Sequence, residues 1–386
     1  MKIKVCPDDF IVKEICNIKL SDTGPYQIYE LEKIHWDTFD LLDYLNRKYH
    51  LKNIGRAGIK DRYSHSFQYI SVKAKEVQEI TEKNFKLRFI GYSPRPITGA
   101  NLVKNWFSIT IRDLKESEIP KVQKNLEHVQ QYGFPNYYDE QRMGSARAKA
   151  GFIAALLAKK HYNGALKLYL ATPSKFDSSN IRRIKKHIFT HWGNWSKCLS
   201  LPDEYGQLRY TLQYLKKHPR DFKGAIKTIR KDLLEMFINA YQAYVFNETL
   251  KQILKSLSLG LFSIRYRFDE LYFYQALSLD HLNYLKSLII PSASYKSSFP
   301  EPKIKKIMEE VLQKDNLSIE KLKIDLGIRG LFFKPYERSA LVFPENLTVE
   351  QIADDDLYKN CYKMVLTFIL PKGSYATLLI KRITHL

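Results

Sequence analysis

Met364-Val365-Leu366-Thr367-Phe368-Ile369-Leu370, closed by Pro371-Lys372-Gly373, is an apolar run of strand length near the end of a 386-residue chain. So apolar a run predicts a strand buried on both faces. A buried strand this late must complete a sheet, most economically one begun near the N-terminus. There, Gln68, Ile70 and Val72 alternate with Tyr69, Ser71 and Lys73, and Phe107, Ile109 and Ile111 alternate with Ser108, Thr110 and Arg112. That is the period-two pattern of strands. Ahead of them, Leu41, Leu42, Leu45 and Tyr49 fall at helical spacing, with Asp37 or Thr38 available as N-cap, so a helix is predicted from Thr38 to Tyr49.

After Pro135 the pattern changes, and from about Arg147 it is largely helical. Phe152, Ile153, Leu156 and Leu157 form one apolar stripe, and Phe237, Tyr241, Tyr244 and Val245 another. The chain is long enough for two domains, each with its own core. The reading is therefore α+β: a mixed, largely antiparallel sheet built from both chain ends, residues 1–147 and 341–386, with a mainly helical domain, 148–340, inserted between them.

The formal charge is +21. An excess of this size repels itself in a compact state and points to a polyanionic partner. Between Arg147 and Lys231 stand 19 Lys or Arg against four acids, Asp177, Asp203, Glu204 and Asp221. The segment includes Arg182, Arg183, Lys185 and Lys186, then Lys216 and Lys217, with Tyr162, Tyr169, Trp192, Trp195 and Tyr210 interspersed. Any one such cluster reads as solvated surface, and any one such aromatic as core. Their concentration in one segment favours a nucleic acid, held by its phosphates and by stacking on unpaired bases.

No apolar run reaches the length of a membrane span, and MKIKVCPDDF carries no signal-peptide stretch, so a cytoplasmic protein with no membrane partner is expected. Cys6, Cys16, Cys198 and Cys361 are scattered and form no C-x-x-C pair, so neither a structural metal nor a disulfide framework is expected. Neither glycine-rich nucleotide fingerprint occurs, so no cofactor is expected. No obligatory protein partner is evident.

Asp61 follows Gly58-Ile59-Lys60 and precedes Arg62, in a loop leading into the first strand. Flanking cations would hold its carboxyl ionised if they lie close in space. The tripeptide alone reads as a charged surface turn.

Its surroundings add a resemblance. Gly58-Ile59-Lys60-Asp61-Arg62-Tyr63-Ser64-His65-Ser66-Phe67-Gln68 is similar to the signature loop G-x-K-D-[RK]-x-A-x-T-x-Q of TruD-family pseudouridine synthases. Pro7-Asp8-Asp9-Phe10-Ile11-Val12-Lys13-Glu14 resembles the family's P-x-D-F-x-V-x-E, with Lys4 three residues upstream. Asn105-Trp106-Phe107 matches N-x-F, and Gly133 to Gly144, GFPNYYDEQRMG, resembles G-x-P-N-Y-F-G-x-Q-R-F-G. Tyr241 to Asn247 resembles the Q-S-x-x-F-N helix, and Leu370 to Thr377, LPKGSYAT, the closing L-P-x-G-S-[YF]-A-T. All occur in family order.

The resemblance implies a pseudouridine-synthase catalytic domain with an inserted TRUD-type domain, acting on a structured RNA, most often uridine 13 of tRNA. It implies Asp61 as the catalytic carboxylate, Phe107 stacking on the target uracil, Asn105 hydrogen-bonding near the aspartate and Lys4 supplying a cation. Gln141 and Arg142 would organise the catalytic loop. Periodicity alone, in contrast, puts Phe107 in the core with Ile109 and Ile111. The sequence departs from the family pattern at Lys104, Asp139, Met143, Ser64 and Ser66. Two rival classes are a non-catalytic RNA-binding or RNA-chaperone protein that keeps the fold, for which the basic domain alone would suffice, and a cofactor-dependent RNA enzyme such as a methyltransferase, which the missing glycine-rich loop argues against.

Overall fold

A computed structural model describes the chain except residues 74–75, 144–150, 175–176, 202–204, 267–269 and 386. Gly144, Arg147, Asp203 and Glu204, together with the expected boundary at 147/148, lie outside the described residues. The chain divides into two compact units, Met1–Phe134 with Val342–Leu386, and Pro135–Leu341.

The first unit holds nine strands: β1 (Phe10–Cys16), β2 (Tyr26–Lys33), β3 (Gly55–Arg56), β4 (His65–Val72), β5 (Ile80–Glu82), β6 (Phe85–Ser93), β7 (Leu102–Leu114), β8 (Glu345–Asp354) and β9 (Tyr362–Pro371). They form one sheet in the order β8-β9-β7-β1-β4-β2-β6-β5, with β3 on β4. Among the described pairings in this sheet, β1 with β4 is parallel and the rest are antiparallel. The late strand β9 lies along β7, with Leu366 opposite Ile109 and Phe368 opposite Phe107, so the chain ends meet in one sheet.

β9 differs from expectation in one respect. Met364, Leu366, Phe368 and Leu370 are buried, whereas Val365, Thr367 and Ile369 are only half-buried. An antiparallel sheet can leave one face partly in water, and its second face then tolerates apolar residues without enclosing them.

Helix α1 (Thr38–Tyr49) starts where the Asp37 carboxylate accepts the Phe39 N–H at 2.8 Å. Its Leu41, Leu42 and Leu45 pack on Tyr29, Leu31, Ile70, Val72 and Leu87 of the sheet, each leucine contributing roughly 1.5–3 kcal/mol by leaving water. α2 (Ile119–Tyr132) buries Val122, Leu126 and Val129, and its Asn125 donates to the Ile383 carbonyl at the end of α3 (Ala376–Ile383) at 2.9 Å.

A buried cation fastens the N-terminal turn to the sheet. Arg112 of β7 donates to Asp9 at 2.8 Å and to Asp355 and Asp356, both at 2.9 Å. Asp9 in turn accepts the N–H groups of Val5 and Cys6 at 3.1 and 3.0 Å.

The second unit is mainly helical. Lys231–Ser256 is its longest helix, accompanied by Ile153–Ala158, Tyr162–Ala171, Ser179–Thr190, Leu208–Lys217, Phe222–Lys227, Leu279–Ser287 and Pro302–Gln313, with a hairpin of Leu261–Arg265 and Glu270–Tyr274. The stretch from Pro135 belongs here and not with the sheet. Asn247 accepts the Tyr138 N–H at 2.8 Å and returns a bond to its carbonyl at 2.9 Å, while Arg338 donates to the Asn136 carbonyl at 2.8 Å and lies 4.1 Å over the Tyr138 ring. No helix among the described residues is long and apolar enough to cross a membrane.

Arg112→Ala leaves Asp9 and Asp355 buried without their counter-charge. The expected loss is roughly 3–5 kcal/mol of unfolding free energy, read as a lower denaturant midpoint. A midpoint within experimental error of the wild type would contradict the anchoring role.

Candidate active site

Asp61 lies in the loop between β3 and β4, and that loop is held by side-chain hydrogen bonds at Gly58, Lys60, Asp61 and Ser64. The Gln68 amide donates to the Gly58 carbonyl at 3.2 Å, Thr38 Oγ1 accepts the Lys60 N–H at 2.9 Å, and Ser64 Oγ donates to the Asp61 carbonyl at 2.9 Å. Lys33, the last residue of β2, donates to the same carbonyl at 3.0 Å. Backbone groups in a loop must find partners if they are buried, and here side chains from β2, α1 and β4 supply them.

Consecutive side chains then part. Lys60 turns into the sheet, 2.7 Å from Asn105 Oδ1 on β7 and 3.0 Å from Glu14 Oε1 on β1. The latter approach is off the line of a hydrogen bond, so the attraction is between charges. Gly58 is required beside this pair, because a Cβ there would run into the Glu14 carboxylate. Asp61 turns the opposite way and accepts Lys4 Nζ at 2.7 Å.

Lys4 reaches it from a turn with unusual backbone, φ +59°, a conformation that costs a non-glycine residue of order 1 kcal/mol. The Asp9 carboxylate, bonded to the next two N–H groups and gripped by Arg112, holds that turn. Lys4 Nζ also sits 4.3 Å from the centre of the Phe10 ring, a cation–π contact. Phe10 meets Phe107 edge-on at 6.0 Å, and Phe107 stacks on Phe368 at 5.3 Å.

The Asp61 side chain keeps 29% of its exposure. Partial burial opposes its ionisation, but the Lys4 ammonium and the N–H groups of Tyr63 and Arg62 outweigh that and hold the carboxyl below the usual carboxylate range. The flanking residues correctly indicate an ionised carboxylate but suggest the wrong cations, whereas the family resemblance names Lys4, which is the one in contact. Lys60 is committed to Glu14 and Asn105, Arg62 is exposed and makes no ion pair with Asp61, and the cation comes from Lys4, far away in sequence.

Asn105 bonds the aspartate's neighbour Lys60 rather than Asp61 itself. Phe107 is 6% exposed, with one face on Phe368. Periodicity therefore describes its surroundings accurately: it is a packed ring under the Lys4–Phe10 contact. Five contributors take no site role from sequence alone. Glu14, Phe10 and Gln68 stand in the quoted motifs, Thr38 reads as a cap, and Lys33 stands outside every motif. Its signal is present, since in Tyr26–Lys33 it shares parity with the buried Tyr29 and Leu31.

Gln141 and Arg142 fall in the second unit, exposed on the 3-10 turn Glu140–Met143. Of the basic residues, Arg182, Arg183, Lys186, Lys216 and Lys217 are exposed. Lys185 is a correction. It is 3% exposed and pairs with Asp177 at 2.8 Å, because its place on helix Ser179–Thr190 faces inward with Ile184 and Ile188. Among the aromatics, Tyr169 and Trp195 are core, while Tyr210 is 70% exposed. His187 and His191 stand one helical turn apart, but their ring nitrogens are engaged by the carbonyls of Lys197 and His187, and no metal-binding group of three occurs among the described residues.

The departures from the family pattern have local accounts. Lys104 lies in an extended strand opposite Ile15 and pairs with Glu345 at 2.7 Å, and neither it nor Asp139 has positive φ, so no glycine is needed there. Ser64 bonds the Asp61 carbonyl, and Met143 is buried with its sulfur 3.2 Å from the Tyr266 hydroxyl. Ser66 is buried opposite Lys33.

This combination of a mixed sheet built from both chain ends and a helical insertion is that of a pseudouridine synthase. The family description tRNA pseudouridine synthase D (TruD) matches residues 1–261 and 281–383. A Methanocaldococcus jannaschii protein named probable tRNA pseudouridine synthase D 2 is 34% identical, over 99% of this chain and 91% of its own length. One from Methanococcus maripaludis, probable tRNA pseudouridine synthase D 1, is 31% identical over 100% of both. The crystal structure of a putative tRNA pseudouridine synthase D from Methanosarcina mazei superposes with a TM-score of 0.74 at 25% identity, covering 100% of this chain and 93% of that one. The chain belongs to the TruD family.

Lys4→Met removes the main cation from Asp61 and leaves only the Tyr63 and Arg62 N–H groups to oppose partial burial, so the carboxyl's pKa rises. In the wild type the depressed pKa contributes stability that is present above about pH 4 and lost as pH falls through the folded value. The variant is expected to lose that contribution, and the acid limb of its pH–rate profile is expected to move to higher pH. An unmoved limb would show that Lys4 does not govern Asp61.

Proposed function

We propose that this protein isomerises uridine to pseudouridine in tRNA, at the position numbered 13, by base flipping and an aspartate-dependent mechanism that consumes no cofactor. The reaction breaks the N1–C1′ bond, turns the uracil over and joins C5 to C1′, with no net redox change. It therefore needs an ionised carboxylate within reach of the nucleotide and a surface that receives an unstacked base. Asp61 fills the first role; the observation that carries the reading is the 2.7 Å contact of its carboxylate with the Lys4 ammonium, which favours the ionised form despite partial burial.

For the second role the family resemblance points to Phe107, whose ring lies beneath the Lys4–Phe10 contact beside the Asp61 carboxylate. Asn105 and Lys60 keep the loop seated. The unit Met1–Phe134 with Val342–Leu386 carries the chemistry, and the basic stretch of the second unit, Pro135–Leu341, binds the RNA by its phosphates through Arg182, Arg183, Lys186, Lys216 and Lys217.

Purified wild type incubated with unmodified tRNA and no added cofactor is expected to form pseudouridine at position 13, and Asp61→Asn to form none while binding tRNA as before. An active Asp61→Asn protein removes Asp61 from the chemistry. A wild type that binds but never isomerises would make this a non-catalytic RNA-binding member of the fold.

Charge reversal at Arg182, Arg183 and Lys186 together is expected to weaken tRNA binding and flatten its salt dependence, by a slope of about 0.7–0.9 for each phosphate that is no longer neutralised. An unchanged slope would take this helix out of the interface.

A further inference from the structure

Lys33 is fully buried at the end of β2, and no carboxylate lies within ion-pair distance of it among the described residues. Lysines are almost never buried without a partner charge, because an isolated ammonium loses its hydration. Its Nζ instead donates to three backbone carbonyls: Trp36 at 2.8 Å, Asp61 at 3.0 Å and, more weakly, Lys60 at 3.4 Å. Trp36 lies in the link to α1, and Lys60 and Asp61 are the two loop residues whose side chains part. A cation so placed costs stability, and a neutral residue would fill the space without that cost.

From this geometry we infer that Lys33 is a positioning residue: its ammonium clamps the Lys60 and Asp61 carbonyls, fixing the loop backbone so that the Asp61 carboxylate meets Lys4 and the substrate at one angle. The inference rests on the reading of Asp61 as the reacting carboxylate.

The clamp depends on protonation. A neutral amine keeps two donors for three acceptors and gives up the charge that strengthens each bond. The groups facing Lys33 are Asp37, Asp61 and Lys60. Asp37 is occupied with the Phe39 N–H, Asp61 with Lys4, and Lys60 with Glu14. On the adjoining strands Lys33 stands opposite Ser66 and Phe85, neither of which is charged. Burial pushes the Lys33 pKa down to about 8, with Asp37 and Asp61 opposing and Lys60 adding to the shift, whereas an ordinary lysine titrates near about 10.4. A folded pKa below the unfolded one means that the neutral form gains relative stability as pH rises through about 8, so the clamp loosens on the alkaline side while the fold persists.

The test is the single-turnover rate of pseudouridine formation on unmodified tRNA from pH 6 to 10, with tRNA affinity measured alongside. In the wild type the rate is expected to fall through a step near about pH 8 with affinity unchanged. In Lys33→Met the rate at pH 7 is expected to drop by ~10²-fold, the loss that misplacement of a reacting group by about 1 Å brings, with tRNA affinity unchanged and the alkaline step gone. Lys33→Gln, which keeps neutral donors, is expected to recover part of the rate and also to lack the step.

A wild-type rate flat to pH 10 overturns the inference, as does a Lys33→Met protein as fast as the wild type. The wild-type profile needs no variant, so it decides even where Lys33→Met does not fold. Asp61→Asn separates the two readings. If it is active, the assignment of Asp61 fails; if it is dead while Lys33→Met is fast, the clamp alone fails.

Discussion

The buried attraction between Glu14 on β1 and Lys60 in the loop before β4 is the constraint on which the site depends. Both charges are out of water, so neither can leave the other without a cost of about 3–5 kcal/mol. Lys60 is thereby committed to the sheet, where it also meets Asn105. Its neighbour Asp61 must then project away from the sheet, toward Lys4. Gly58 is small because the Glu14 carboxylate occupies the space a side chain would take. The lysine and the aspartate of the Lys60-Asp61 pair thus divide the labour, one rooting the loop and the other facing outward.

A second electrostatic chain approaches from the other side. Arg112 holds Asp9, Asp9 holds the turn after Lys4, and Lys4 holds Asp61. Each step is a charge-assisted bond, stronger than a neutral one. Together with Lys33 beneath the backbone, these contacts fix a carboxylate that is half out of water without neutralising it. Catalysis by a positioned charge requires both conditions: an ionised group, and a geometry settled before the substrate arrives.

Much of the fold was legible because its cause is local. Alternation in His65–Val72 and Leu102–Leu114, helical spacing in Thr38–Tyr49, and an apolar run at Met364–Leu370 each announce an element through the period of its burial. The union of both chain ends in one sheet followed from the need of that last strand for neighbours. Partial solvation of its second face did not follow, since it depends on what covers the sheet. Lys185 failed for a related reason: in a run of like charges, helical phase places one lysine inward, and Asp177, just ahead of the helix, supplies the counter-charge that lets it stay there.

The sequence by itself determined the family motifs, the elements that carry them and the presence of an aspartate in a loop ahead of a strand. The resemblance pointed to Lys4 as the cation of the site, and the tertiary structure brings that ammonium to the aspartate. Lys60 and Arg62 are its covalent neighbours, yet Lys4 is the one in contact, because a chain turn can aim adjacent side chains in opposite directions and a sheet can bring residue 4 beside residue 61. The tertiary structure alone decided that Phe107 is packed between Phe10 and Phe368, and that Lys33 carries its charge beneath the loop. Charge pairing, stacking and burial act through space, and sequence order records distance only along the chain.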